Sequence, residues 1–151
     1  MREMQIDIWT APSHVWRCVT TNKCVKSNGE AVMGRGIAKQ VRDRYPGFAK
    51  KLGHILTLYD GNVILFPEIQ WIAFPTKRDW RENSNLDLIE ASARELSAYI
   101  NANQIPEVWL PRPGCSNGGL YWHDVKSVIG TEQKTPPLVG GDECDLGKIF
   151  Q

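Results

Sequence analysis

Gly34 and Gly36 stand one residue apart and open directly onto an apolar-periodic run, Ile37, Ala38, Val41 and Tyr45. A glycine loop exposes backbone N–H groups and lets a ligand approach closely. The helix that follows adds partial positive charge at its N-terminus, so the favoured ligand is an anion, most often a phosphate. Alone, a Gly-x-Gly more often marks a tight turn. A second stretch of the same character, Pro113-Gly114-Cys115-Ser116-Asn117-Gly118-Gly119-Leu120, changes that balance. Two N–H-rich loops suit a pyrophosphate, which carries charge on both halves. The first loop is not a dinucleotide fingerprint, because Lys39 stands where the third glycine would be, and no Gly-Lys-Ser/Thr follows as in a P-loop.

Three further groups have types that do chemistry. Arg78, Trp80 and Arg81 form a small basic and aromatic cluster: the ring can stack on a nucleobase and the guanidinium groups can meet phosphate, although a partly buried surface tryptophan is the plainer reading. His123 and Asp124 are adjacent on one helix, so they point apart and do not read as an acid–base pair. Cys115 lies in a glycine loop beside a helix start and reads as packing under a ligand rather than as a nucleophile. The four cysteines show no C-x-x-C spacing and the three histidines are scattered, which argues against a zinc site or a disulfide framework and for reduced thiols. No residue pattern calls for a metal or another cofactor.

The elements that must position these residues follow from periodicity. Residues 4–9 alternate enough for a first strand, and Val15 to Thr20 reads as a second. A polar loop, Asn22 to Glu30, leads into the glycine stretch and a helix over 36–45, stopped by Pro46-Gly47. A short basic helix from Phe48 to about Gly53 follows. Residues 55–59 and 62–66 read as two strands joined at Asp60-Gly61, a type I′ hairpin signal. Ile69 to Phe74 is another strand. Ser84-Asn85-Leu86-Asp87 has the form of a capping box ahead of a helix carrying Leu86, Ile89, Ala93, Leu96 and Ile100 on one face. Val108 to Leu110 is a short buried strand that runs into the second glycine loop, and Trp122 to Ile129 is a helix. From Gly130 the periodicity fades into a loop-rich tail with a last short strand near Ile149. Interleaved strands and helices predict an α/β domain, a mixed sheet flanked by helices in three layers, with ligands at the carboxyl ends of strands.

Composition bounds the rest. At 151 residues the chain reads as one domain, residues 1–151, with one full core. A net charge of +1 gives no overall basic field of the kind that drives non-specific DNA binding, though a local cluster remains open. No apolar run approaches the roughly 20 residues of a membrane span, and residues 1–5 hold no apolar signal region, so a cytoplasmic monomer with no membrane contact is the expectation.

Asp7-Ile8, Asn22, Met33-Gly34-Arg35-Gly36-Ile37-Ala38, Phe74-Pro75-Thr76-Lys77-Arg78-Asp79-Trp80 and the 113–120 loop fall in an order and spacing that resemble a macro domain over residues 4–129. Macro domains bind ADP-ribose. The branch most similar is that of the bacterial DNA ADP-ribosyl glycohydrolase antitoxins, together with the lysine-dependent terminal ADP-ribose protein glycohydrolase. The resemblance implies that Asp7, with Ile8 beside it, meets the adenine, and that Asn22 lies near the distal ribose. It sets Met33, Gly34, Gly36 and Ile37 along the diphosphate and distal ribose. Gly114, Cys115, Ser116, Asn117, Gly118, Gly119 and Leu120 would hold the diphosphate from the other side. It also implies that Lys77 is catalytic, attacking the anomeric carbon of the distal ribose or stabilising the leaving group.

A nucleophilic lysine must be partly neutral, which takes burial or a cationic neighbour such as Arg78 or Arg81. The chain departs from the pattern in four places, one of them the tail after residue 129, which does not look like the family's last helix and strand. Ile6 replaces the usual glycine before Asp7. Gly118 stands where the protein glycohydrolase carries an assisting aspartate, a change shared with the DNA-acting branch. The link from Lys23 to Glu30 is long, with residues to spare for covering the ribose or touching the partner. The implied activity is removal of ADP-ribose from DNA or protein. A reader that binds ADP-ribose without turnover, or a phosphatase on ADP-ribose 1″-phosphate, are the alternatives.

Overall fold

The computed structural model describes residues 2–129 and 149–150. The strands are β1 (Val15–Thr21), β2 (Ile64–Phe66), β3 (Trp71–Pro75), β4 (Glu107–Trp109) and β5 (Ile149–Phe150). The helices are α1 (Gly36–Arg44), α2 (Phe48–Leu58), α3 (Leu86–Ala102) and α4 (Trp122–Ile129). The sheet runs β2-β3-β1-β4, with β5 added at the outer edge of β4. β3, β1 and β4 are parallel, while β2 and β5 pair antiparallel at the two edges.

Side-chain alternation divides the core in two. On β3, Trp71 and Ala73 join one cluster, Ile72 and Phe74 the other; Val19 and Cys18 of β1 part in the same way, as do Trp109 and Val108 of β4. The first cluster takes in Ile37 and Val41 of α1 and Phe48, Ala49 and Leu52 of α2. The second takes in Ile89, Ala93 and Leu96 of α3 with Val125 and Ile129 of α4. Period-2 strands thus meet period-3.6 helices on both faces, the three-layer α/β arrangement that the sequence predicts. β3, covered on both sides, is buried at all five positions, as an inner parallel strand must be. Each fully buried large side chain there, Trp71 and Phe74 among them, is worth roughly 1.5–3 kcal/mol of burial. Burial also raises the Cys18 thiol well above its ordinary pKa, leaving it inert. Among the described residues, no helix is long and apolar enough to cross a membrane.

Local chemistry overrides the expected elements in three places. The first strand does not form: the Asp7 carboxylate accepts the Trp9 N–H at 2.9 Å and caps a 3-10 turn over Ile8–Thr10, drawing that N–H away from any ladder. Residues 55–58 continue α2 instead of forming a strand, and no hairpin turns at Asp60-Gly61. The Glu95 carboxylate of α3 accepts the Asn62 and Val63 backbone N–H groups, which directs the chain into β2. The hairpin comes one connection later, through Pro67 to Gln70, with Gln70 at φ +57°. The cap of α3 is the side chain of Asn85, accepting from Leu88 N at 3.1 Å, one residue after the expected serine. Ser84 is thereby released for another role. The expected loop-rich tail lies at residues 130–148, outside the described residues, while the strand expected near Ile149 is β5.

The long link after Asn22 folds back as a small hairpin, with a bridge between Val25 and Ala31, and packs on α2. Ala31 N donates to Ala49 O at 2.8 Å, and Gly53 lies directly beneath. A Cβ at Gly53 would fall on the Gly29 carbonyl oxygen and 2.8 Å from Ala31 N. In an open helix, alanine for glycine gains about 1 kcal/mol. Here a backbone collision outweighs that gain, so Gly53→Ala should lose about 1–3 kcal/mol of unfolding free energy in urea titration. A variant as stable as the parent would show that the hairpin is not seated on α2.

Candidate active site

A cavity of about 810 Å3 opens at the carboxyl end of the sheet, within the range of small-molecule sites. Thr20, Thr21 and Asn22 at the end of β1, Thr76 and Lys77 after β3, and Pro111 and Arg112 after β4 all line it. One wall is the segment from Val32 to Ala38. Arg35 takes the cap position of α1 in extended conformation and makes no side-chain capping bond. The first-turn N–H groups of that helix are therefore left for a ligand, as an anion site requires. Gly36 sits at φ +55°, in the left-handed region that suits glycine. Gly34 lines the cavity, and a Cβ there would meet no protein atom within 4 Å beyond its chain neighbours.

The other wall is two connections bonded to each other. Thr76 N donates to Thr21 O at 2.9 Å, extending the β1–β3 register past the strands. Ser84, freed from capping, donates its hydroxyl to Thr76 Oγ1 at 3.2 Å and its N–H to Gly118 O at 2.8 Å. Leu120 N donates to Gly114 O at 2.9 Å and closes the second glycine loop, with Gly114 at φ +78°. No side chain fits at Gly118, whose Cβ would fall on Ser84 Oγ and 2.5 Å from Gly114 O.

Lys77 sits in the seam between these connections. Its Nζ donates to Glu82 O at 3.1 Å and Asn117 O at 3.4 Å. Burial is the larger cause, and the charge of Arg35 the smaller, of a Lys77 pKa below the ordinary lysine value. The cationic neighbour is thus Arg35, from the facing wall, and not Arg78 or Arg81. Arg81 is engaged by Asp79, donating Nε to Oδ1 at 2.9 Å and Nη2 to Oδ2 at 2.6 Å. That pairing holds the Asp79 carboxyl down at about 2.

Most residues singled out from the sequence meet here. Asn22, Met33, Gly34, Gly36, Ile37, Lys77, Trp80, Arg81, Gly114, Cys115, Ser116, Asn117, Gly118 and Leu120 line one cavity. Four do not line it. Asp7 caps its own turn, and Ile8 is fully buried in the core. Gly119 lies against Asn83. Arg78 turns its side chain to solvent while its carbonyl accepts Lys23 N and Cys24 Sγ. Asn22 works on its own loop as well, donating to Val32 O at 3.1 Å and accepting Cys24 N at 2.9 Å. The 23–31 hairpin that these bonds gather in does not line the cavity either.

Sequence reasoning missed Arg35, Thr76, Ser84, Glu82, Arg112 and Tyr121 as lining groups. Arg35 was readable as the middle residue of Gly-x-Gly, and Arg112 as the cation just before Pro113-Gly114. The Arg112 guanidinium stacks 4.9 Å from the Trp122 ring, with its Nε buried and without a hydrogen-bond partner. Among the described residues, no three His, Cys, Asp or Glu side chains gather as a metal site would require.

The parallel inner strands, the uncapped helix facing a second glycine loop and the lysine between them define a macro domain, and the chain belongs to that family. It superposes on the macrodomain of Mycobacterium tuberculosis DarG with a TM-score of 0.71 at 29% identity, covering 86% of this chain and 87% of that one. Among curated proteins it is similar to the DNA ADP-ribosyl glycohydrolases. It is 35% identical over 131 residues to that of Mycobacterium tuberculosis, a match covering 80% of this chain and 36% of that protein. With the Thermus aquaticus enzyme it shares 32% over 113 residues, covering 68% of this chain and 31% of that protein. The chain thus spans about a third of the length of these relatives. No protein-family model matches it.

The electrostatics of Lys77 have a direct readout. Acylation by a water-soluble amine reagent, followed site by site by mass spectrometry, should show Lys77 reacting with a midpoint below the ordinary lysine range. Removing the facing charge with Arg35→Ala should move that midpoint to higher pH, because the ammonium is then less disfavoured. A midpoint indifferent to Arg35 would assign the whole shift to burial.

Proposed function

We propose that this domain is a glycohydrolase that releases ADP-ribose from ADP-ribosylated DNA, with Lys77 as nucleophile, working as a monomer in the cytoplasm. The observation that carries the reading is the position of Lys77: an amine of lowered pKa, fixed by two carbonyls, between two loops built to hold a diphosphate. The names of the relatives, each a DNA ADP-ribosyl glycohydrolase, support DNA as the modified partner. In this reading the α1 N-terminus and the 114–120 loop hold the diphosphate, and Asn22 and Met33 border the distal ribose. Asp7 meets the adenine once the ligand reaches beyond the cavity, with the buried Ile8 supporting it from the core, and Trp80, Arg78 and Arg81 face the nucleic acid.

The chemistry balances on Lys77 alone. Neutral Nζ attacks C1″ of the distal ribose. The bond from C1″ to the base breaks, and the base leaves with the electron pair and the proton lost from Nζ. Water then replaces nitrogen at C1″, which frees ADP-ribose and regenerates the amine. A reader that binds ADP-ribose and releases nothing is the second reading. Gly118 favours it, because the loop has no room there for an assisting carboxylate.

A panel of oligonucleotides ADP-ribosylated on thymidine or guanosine, with an ADP-ribosylated glutamate peptide and ADP-ribose 1″-phosphate beside them, tests the assignment. Release from DNA should exceed release from the others. Lys77→Ala should lose about 100-fold or more in kcat while keeping its affinity for free ADP-ribose. The glycosylamine at Nζ opens to an imine when O4″ leaves C1″ and takes the nitrogen's proton, so borohydride should reduce and trap that adduct on the parent and not on the variant. The rate should rise with pH as the Lys77 ammonium deprotonates, and level off below the ordinary lysine range. Binding without release from any substrate would select the reader.

The glycine loop has its own test. Gly34→Val adds a side chain that touches no protein atom at its Cβ, so thermal stability should hold while calorimetric ADP-ribose binding is lost. Unchanged affinity would place the diphosphate elsewhere.

A further inference from the structure

Among the described residues, the large hydrophobic side chains left exposed are Leu58, Tyr59, Trp80 and Tyr121. Two of them, Trp80 and Tyr121, line the cavity, and Tyr121 is the most exposed of the four at 79%. Two exposed aromatic rings on one cavity give a ligand surface on which to stack. The Tyr121 backbone is not loose. The Tyr121 carbonyl accepts Asp124 N at 3.1 Å and Val125 N at 3.2 Å, which makes it the anchor of the first turn of α4. Trp80 is carried on the connection whose Glu82 carbonyl accepts from Lys77, and Tyr121 directly follows the loop whose Asn117 carbonyl accepts from Lys77. Each segment that grips the lysine carries, or runs directly into, an aromatic ring at the cavity.

Charge around these rings is one-sided. Arg35, Lys77, Arg81 and Arg112 line the cavity against the single lining carboxylate of Glu82, and although Asp79 pairs with Arg81 the balance stays basic in a chain whose formal net charge is only +1. Flat aromatic surface set among cations is the chemistry that receives an unstacked base and its phosphates; a peptide backbone offers neither an aromatic face nor a phosphate.

Resting on the reading of the domain as a DNA glycohydrolase, we propose that Tyr121 is a specificity-determining residue that stacks on the nucleobase side of the substrate, beside the bond cleaved at Lys77, with Trp80 as the second platform. It acts on the part of the substrate that leaves, not on ADP-ribose. Selection for a modified nucleotide over a modified peptide therefore resides in the residue after the second glycine loop.

The test measures KM and kcat on an ADP-ribosylated oligonucleotide, its Kd on a Lys77→Ala background, and the Kd of free ADP-ribose. Tyr121→Ala should raise KM and the oligonucleotide Kd by about 10-fold, the scale of one lost base stack, with a smaller change in kcat and none in ADP-ribose affinity. Tyr121→Phe keeps the ring and should restore parental values. Activity on an ADP-ribosylated peptide, if present, should not respond to either change. Equal oligonucleotide affinity in Tyr121→Ala and the parent overturns the proposal, as does an equal loss of free ADP-ribose binding, which would assign the ring to the ligand. A parental domain that binds the oligonucleotide through Tyr121 but releases nothing leaves the stacking role standing and overturns the glycohydrolase reading instead.

Discussion

The site depends on one contact between two strand-end connections. Ser84 N reaches the Gly118 carbonyl at 2.8 Å, and no Cβ fits between them. That close approach joins the segment after β3 to the loop after β4, so the carbonyls of Glu82 and Asn117 come to share one ammonium group. Without it, Lys77 would be a flexible surface lysine. With it, the amine is held in a half-buried seam facing Arg35, and its charged form is disfavoured. The glycine at position 118 is therefore a packing requirement as much as a missing acid.

The sheet supplies the frame for this contact. β1 and β3 are parallel neighbours whose register continues through Thr21 and Thr76, which fixes where each chain leaves the sheet. β4 lies on the other side of β1, so the second glycine loop begins at the same end. Parallel order thus brings three carboxyl ends together, and the α1 N-terminus closes the opposite wall. The functional groups are far apart in the chain and converge because the strands that carry them point the same way.

Electrostatic character follows from position more than from composition. A nearly neutral chain gathers four cations and one carboxylate around its cavity. Asp79 cancels part of this field through its ion pair with Arg81, which leaves Arg35, Lys77 and Arg112 against Glu82. Two of the exposed aromatic rings, Trp80 and Tyr121, line the cavity beside these basic groups, and this sets it apart from the apolar core on either face of the sheet.

By itself the sequence determined the layer order, the helices expected at 36–45 and 122–129 and the two glycine loops, because periodicity and backbone chemistry are local properties of neighbouring residues. Met33 to Ala38 and Pro113 to Leu120 were legible for that reason. Lys77 stood out only through the resemblance of its motif to that of the macro domains. The reading at residues 4–9 failed because Asp7 took the Trp9 N–H, and that at 55–59 because Ile55 and Leu56 pack against the core as a continuation of α2; Glu95, more than thirty residues away, then takes the N–H groups of Asn62 and Val63. Tertiary structure alone decided that Asn85 caps α3 and frees Ser84, that Arg35 rather than Arg78 or Arg81 faces Lys77, and that the link after Asn22 lies on α2 instead of over the cavity. Each of these is a contact across the fold, fixed by which strand ends the sheet sets side by side, and no spacing along the chain encodes it.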